Sequence, residues 1–177
     1  LQNMDMKPND ALVSLDKAEN FMKGLPSDVD QDVLAKQGNI GLLRAKAYSL
    51  KGKPDEAFAA LALLPQDDQS LKLRADIAWR AKKWQDAADS LEQLIQNQNI
   101  TLTRPLTDPQ AELLLNWAVA LYLADNRYVL ANVRERYSDA MSATPKAQKF
   151  EVVTRPRQSA LLADRETINS IIDEASI

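Results

Sequence analysis

One short pattern recurs along this chain and limits what it can become. In Lys53-Pro54-Asp55-Glu56-Ala57, running on to Leu61, a basic residue and a Pro or aromatic precede two free positions, an Ala, three free positions and a Leu. The same skeleton returns in Lys7-Pro8-Asn9-Asp10-Ala11 to Leu15 and in Lys83-Trp84-Gln85-Asp86-Ala87 to Leu91. It returns more loosely in Arg127-Tyr128-Val129-Leu130-Ala131. Each copy is a short helical pattern, and repetition at this scale predicts helix pairs stacked side by side, each covering its neighbour's apolar face.

The absences narrow the chemistry. There is no His and no Cys, which removes Ser-His-Asp and Cys-His nucleophile systems and the common zinc and iron–sulfur ligand sets. Hydrophobic residues make up 45% and charged residues 27% of the 177, the balance of an ordinary folded α-rich chain. A net charge of −3 supplies no global basic field for nucleic acid or anionic lipid. The most apolar run, Leu113 to Ala124, is broken by Asn116 and is too short to span a membrane. No membrane insertion and no cofactor are expected. The chain opens on Leu1 without an initiator Met or a signal-peptide pattern, which reads as an edge inside a longer protein.

In order, residues 1–6 carry no pattern and read as a disordered lead-in. Pro8 suits a first helical turn, and Ala11, Leu12, Leu15, Ala18, Phe21 and Met22 follow on one face until Gly24 and Pro26 stop the helix. This helix matches the second member of a pair with no first member before it, as though the chain began within an array. Ser27 and Asp30 form a capping-box-like start. Asp28 to Asp32 resembles the opening of a calcium loop, but Val33 stands where that loop needs Gly and Asn39 where it needs Glu, so no metal site is expected. Gly38 and Gly41 are expected to loosen the next helix, which reaches Lys51-Gly52-Lys53. Pro54 to Leu64, Leu71 to Lys82 and Trp84 to Gln96 are the next helices.

Residues 97–108 show no helical period and form either a functional loop or an insertion that packs Ile100, Leu102 and Leu106. Asp108-Pro109 starts a helix through Ala124 that is apolar nearly all round, which implies cover on more than one side by flanking helices or by a partner. Tyr128 to about Met141 pairs with it, Thr144-Pro145 opens a short helix, and Asp164 caps a last one containing Ile168, Ile171 and Ile172. Residues 7–141 are therefore taken as the repeat region and 142–177 as terminal capping helices.

Tyr48, Gly52, Ala57 and Leu61, with Ala45 and Ala75 midway along first helices, resemble the tetratricopeptide repeat. Trp84 and Tyr128 match the aromatic that opens the family's second helix. Ala57, Ala87 and Ala131 match its deeper small residue, and Tyr48 and Tyr122 the aromatic late in the first helix. The copies are irregular, because Ala11, Ala57, Ala87 and Ala131 lie 46, 30 and 44 residues apart, whereas the family unit is about 34. Glu135 also stands where the last copy should show Leu.

The resemblance implies an all-α fold, a right-handed α-α superhelix of stacked antiparallel helix pairs with degenerate repeats. It implies a non-catalytic protein-interaction scaffold that holds a peptide or partner domain on its concave face. Carrying the family's groove positions over gives Lys46 and Ser49 in one pair, then Lys72, Asp76, Trp79 and Arg80, then Asn116, Ala120 and Leu123. Against that reading, Lys72 and Asp76 make an ordinary surface ion pair and Trp79 simply packs. The Lys/Asn pattern with which some members clamp a C-terminal carboxylate is not reproduced.

Three other functions compete. Self-assembly into a homo-oligomer would cover the apolar helix of residues 110–124. RNA binding would draw on Arg127, Arg134, Arg136, Lys146, Lys149, Arg155 and Arg157, set against only Glu135, Asp139 and Glu151. A carboxylate-based hydrolase would use Asp67-Asp68 or Asp173-Glu174, whose ordinary role is capping helices. Neither nucleic-acid binding nor catalysis is expected.

Overall fold

A computed structural model of the chain describes residues 8–23, 31–156 and 162–175. Among these residues every regular element is an α-helix, as the repeats predict: α1 (Pro8–Lys23), α2 (Gln31–Leu50), α3 (Pro54–Ala62), α4 (Asp68–Arg80), α5 (Trp84–Asn97), α6 (Asp108–Leu123), α7 (Arg127–Ser142), α8 (Ala147–Thr154) and α9 (Leu162–Glu174). The expected lead-in, the stop at Gly24 and Pro26 and the capping box at Ser27 fall outside the described residues, as does most of the calcium-like stretch. The chain divides into two compact units, residues 1–77 and 78–177.

In the first unit α2 packs against both α1 and α3. Ala45, Ala57, Leu61 and Ile77 form its buried centre, with Leu42, Tyr48, Phe58 and Leu73 packed around them. Small alanines at the contact let two helix backbones approach, while Leu and Ile fill the space beside them. Arg44 of α2 ties back to α1, with Nη2 2.7 Å from Asp16 Oδ1 and Nη1 paired with Glu19.

The two glycines do not loosen α2, which runs unbroken from Gln31 to Leu50. Gly41 is where α2 meets the end of α3: a methyl group there would lie 2.5 Å from Leu64 Cδ2. Glycine at this position leaves room for the Leu64 side chain and does not bend the helix.

In the second unit α6 is the central element, packed by α5, α7 and α8. Its start is fixed by a capping box: Thr107 Oγ1 accepts from the Gln110 amide while Gln110 Oε1 accepts from the Thr107 amide. The cap is thus Thr107, one residue before the expected Asp108. Leu114, Trp117, Ala118, Val119, Ala120 and Leu121 are all buried, so flanking helices supply the cover that an all-round apolar helix requires. Trp117 meets Tyr137 of α7 edge-on, centroids 6.4 Å apart. Of the three apolar residues in the preceding loop, Ile100 and Leu106 are half-buried whereas Leu102 is exposed. Ile168 and Ile171 bury α9, which packs on α8. Asp164 falls inside α9 rather than before it.

Candidate functional site

Three turns in this chain are built alike. After α2, α4 and α6 a single residue takes a left-handed conformation, Gly52 (φ 71°), Lys82 (φ 57°) and Asp125 (φ 56°). The amide of the following residue reaches back five positions: Lys53 donates to the Tyr48 carbonyl at 3.0 Å, Lys83 to Ala78 at 2.8 Å and Asn126 to Leu121 at 3.0 Å. That is a Schellman closure of the first helix. The same residue starts the second helix, its carbonyl accepting from Ala57, Ala87 and Leu130 respectively. One residue ends one helix and begins the next, which leaves little freedom in how each chain reversal is made.

These turns set an internal register. Ala45, Ala75 and Ala118 each stand seven residues before the left-handed residue, and all three are fully buried. Ala57, Ala87 and Leu130 follow each turn, buried in the same way. The last copy is therefore registered on Asn126, not Arg127: Ala131 is exposed and Leu130 takes its place in the core. Tyr128 is likewise displaced from the role of opening aromatic and is 79% exposed. Asn126 announces itself in the sequence as an N-cap residue, and its side chain accepts from the Val129 amide at 3.3 Å.

The expected groove residues sort themselves on this register. Lys46 and Asp76 are equivalent, and both reach the surface. Arg80 and Leu123 are equivalent, exposed and half-buried. Trp79 is half-buried and stacks edge-on with Trp84, centroids 5.4 Å apart at 84°. Lys72 is exposed, but its counterpart in α6 is the buried Leu115, and the counterpart of Asp76 is the buried Val119. Asn116 corresponds instead to Leu43 and Leu73, off the Lys72–Asp76 line. Ala120 is fully buried, as are its equivalents Ala47 and Ile77, so it is a core position in every copy and not a groove residue. The charged face of the second copy is thus an interior face in the third.

On α2 the equivalent of Lys72 is Leu42, half-buried against the core, and the exposed line is a neighbouring one. Leu43, Lys46 and Leu50 line up at helical spacing, with Leu43 39% and Leu50 50% exposed and Lys46 exposed between them. Comparison with family models, with curated proteins and with solved structures returns no match to this chain.

Two cavities among the described residues lie near these faces. In the first unit one of about 840 Å³ lies among the second half of α2, the end of α3 and the start of α4, lined in part by Gly41, Leu42, Leu64, Pro65 and Ser70. In the second unit one of about 290 Å³ lies among α6, α7 and the end of α8. It sits beside Arg134, which stands eight residues after Asn126, where the earlier copies carry the buried Leu61 and Leu91.

Much of the basic run in this region is engaged inside the unit. Arg134 pairs with Glu151 at 2.7 Å, Arg127 with Asp125 at 3.0 Å and Lys149 with Glu174 at 2.5 Å, while Arg136 lies over the Tyr137 ring. The Lys149 hydrogen bond and charge, helped by Lys146 and opposed by slight desolvation, hold the Glu174 carboxyl below the usual carboxylate range. The carboxylates of the other competing function have structural work: Asp67 Oδ1 accepts from the Ser70 amide at 2.9 Å and caps α4. Among the described residues no group of three or more metal-binding side chains comes together, and no helix is long and apolar enough to cross a membrane.

Proposed function

We propose that this chain is a protein-interaction scaffold whose helix pairs stack as tetratricopeptide-like repeats in a right-handed superhelix, with first helices presenting a peptide-binding face. The reading rests most heavily on the open face of α2, where Leu43, Lys46 and Leu50 place a cation between two solvent-exposed leucines. Large aliphatic side chains held in solvent at helical spacing favour a partner that covers them. The three equivalent turns and the Ala45, Ala75 and Ala118 seam support the repeat reading. The matching partner is an extended or helical peptide with apolar side chains flanking an acidic one.

Panning a displayed random-peptide library against the whole chain tests this. Enrichment of acidic–apolar sequences is expected, with binding lost in a Lys46→Glu, Leu50→Ser variant that keeps its helical circular dichroism. A library that yields no common sequence, or equal binding by the variant, overturns the reading. Self-association through the same leucines is the alternative, and light scattering that shows a concentration-dependent dimer abolished by Leu50→Ser would favour it.

A further inference from the structure

The exposed residues of α2 fall on one narrow line. From residue 36 to residue 50 they are Lys36, Asn39, Leu43, Lys46 and Leu50, and every residue between them is half-buried or buried. Their steps are three, four, three and four residues, the a/d spacing of a two-helix coiled coil. A line that only meets water needs no large aliphatic side chains, yet this one holds two leucines, 39% and 50% exposed. Its only charges are Lys36 and Lys46. Among the described residues neither lysine has an ion-pair or hydrogen-bond partner.

We infer that this line is one half of a coiled-coil contact, and that its occupant is an amphipathic helix of another protein bearing two apolar residues seven apart with an acidic residue between them. The inference rests on the peptide-binding reading of α2 and narrows the partner to a helix. Spacing decides against an extended chain. Leu43 and Leu50 stand about 10.5 Å apart along the helix axis. A strand covers that distance in about three residues, an odd step that turns its two ends to opposite faces. A helix covers it in seven residues and keeps both ends on one face. Charge decides against a second copy, which would bring two more lysines and no carboxylate to the line. Asn39, four residues before Leu43, calls for a polar residue opposite, the device by which a single buried amide fixes register.

Fluorescence anisotropy of labelled three-heptad peptides titrated with the whole chain tests the inference. One helical peptide presents Leu, Glu and Leu at steps of three and then four residues, and a second reverses the steps to allow the opposite direction. A third carries Lys in place of Glu, and a fourth sets Leu, Glu and Leu at alternate positions to suit an extended chain. At least one of the first two is expected to saturate and to gain helical circular dichroism. The third should bind about threefold or more weakly, the effect of one reversed charge, and the fourth about tenfold or more weakly. Lys46→Glu, made at an exposed position, should reverse the order of the Glu and Lys peptides. The inference is overturned if neither helical peptide binds, if that order does not reverse, or if light scattering shows that two copies pair through this line and exclude the peptides. Tight binding of the alternating peptide, lost in the Lys46→Glu, Leu50→Ser variant, would sink the helical partner and leave the scaffold reading standing, whereas failure of all four peptides would count against both.

Discussion

The first helices of two hairpins, α2 and α6, have the same turn, the same buried alanine and opposite surroundings. Ala45 and Ala118 occupy one register position and both are fully buried. Two positions later Ala47 and Ala120 are buried as well. Yet Lys46 and Leu50 of α2 are exposed, whereas their equivalents in α6, Val119 and Leu123, are buried and half-buried, and α6 is packed by three helices. The repeat therefore fixes the seam inside a pair and leaves the opposite side of the helix open to different uses. α6 also has an additional neighbour, since α8 packs on both α6 and α7.

The largest test of this contrast is overpacking. Ala118→Leu adds bulk to a helix enclosed by three neighbours and should cost about 3 kcal/mol, while Ala45→Leu, on a helix with an open side, should cost nearer 1 kcal/mol. Urea denaturation of both variants reads the difference directly, and equal losses would mean that the two seams are alike in rigidity.

A second test concerns the turns. Gly52 carries its left-handed conformation without penalty, but Lys82 and Asp125 hold the same conformation with a side chain, which costs about 1–2 kcal/mol for an ordinary L-residue. Gly52→Ala is expected to lower stability by about 1 kcal/mol and Lys82→Gly to raise it by up to about 1 kcal/mol. A stabilising Gly52→Ala in thermal melts would contradict the equivalence of the turns.

Much of this architecture was legible in the residues. Lys51-Gly52-Lys53 and Lys82-Lys83 mark the reversals, and Ala57 and Ala87 with Leu61 and Leu91 mark the buried stripe. The register of the last hairpin is disguised by one residue, because Arg127-Tyr128 mimics the basic–aromatic opening of Lys83-Trp84 while the start is set by the Asn126 side chain. The same mimicry puts Glu135 at the leucine position in the sequence, whereas the structure puts Arg134 there. Gly38 and Gly41 misled for another reason: propensity counts glycine as a helix breaker, but tertiary packing against Leu64 overrides it at Gly41. Ala120 could not be told from a groove residue by spacing alone, since α6 is apolar on every side.

The smallest effect separates the end of the second unit from its centre. Because Glu174 has a lowered carboxyl pKa in the folded protein, its pairing with Lys149 contributes fully above the ordinary glutamate range. The contribution is lost as pH falls through the lower folded value. Glu174→Gln should remove this part of the acid dependence and leave the centre of the unit untouched. Amide exchange measured across acidic pH checks this, with protection in α9 changing and that in α6 unchanged.

Gly41 carries a consequence beyond its own helix. It and Leu64 both border the larger cavity, and with no methyl group between them they touch more closely than any other residue at position 41 would permit. A methyl group there would meet only side-chain atoms of Leu64, so alanine must turn that side chain aside. Because Leu64 also lines the cavity, that turn would reshape the neighbouring hollow, making one of the least conspicuous residues in the chain a gauge for that opening.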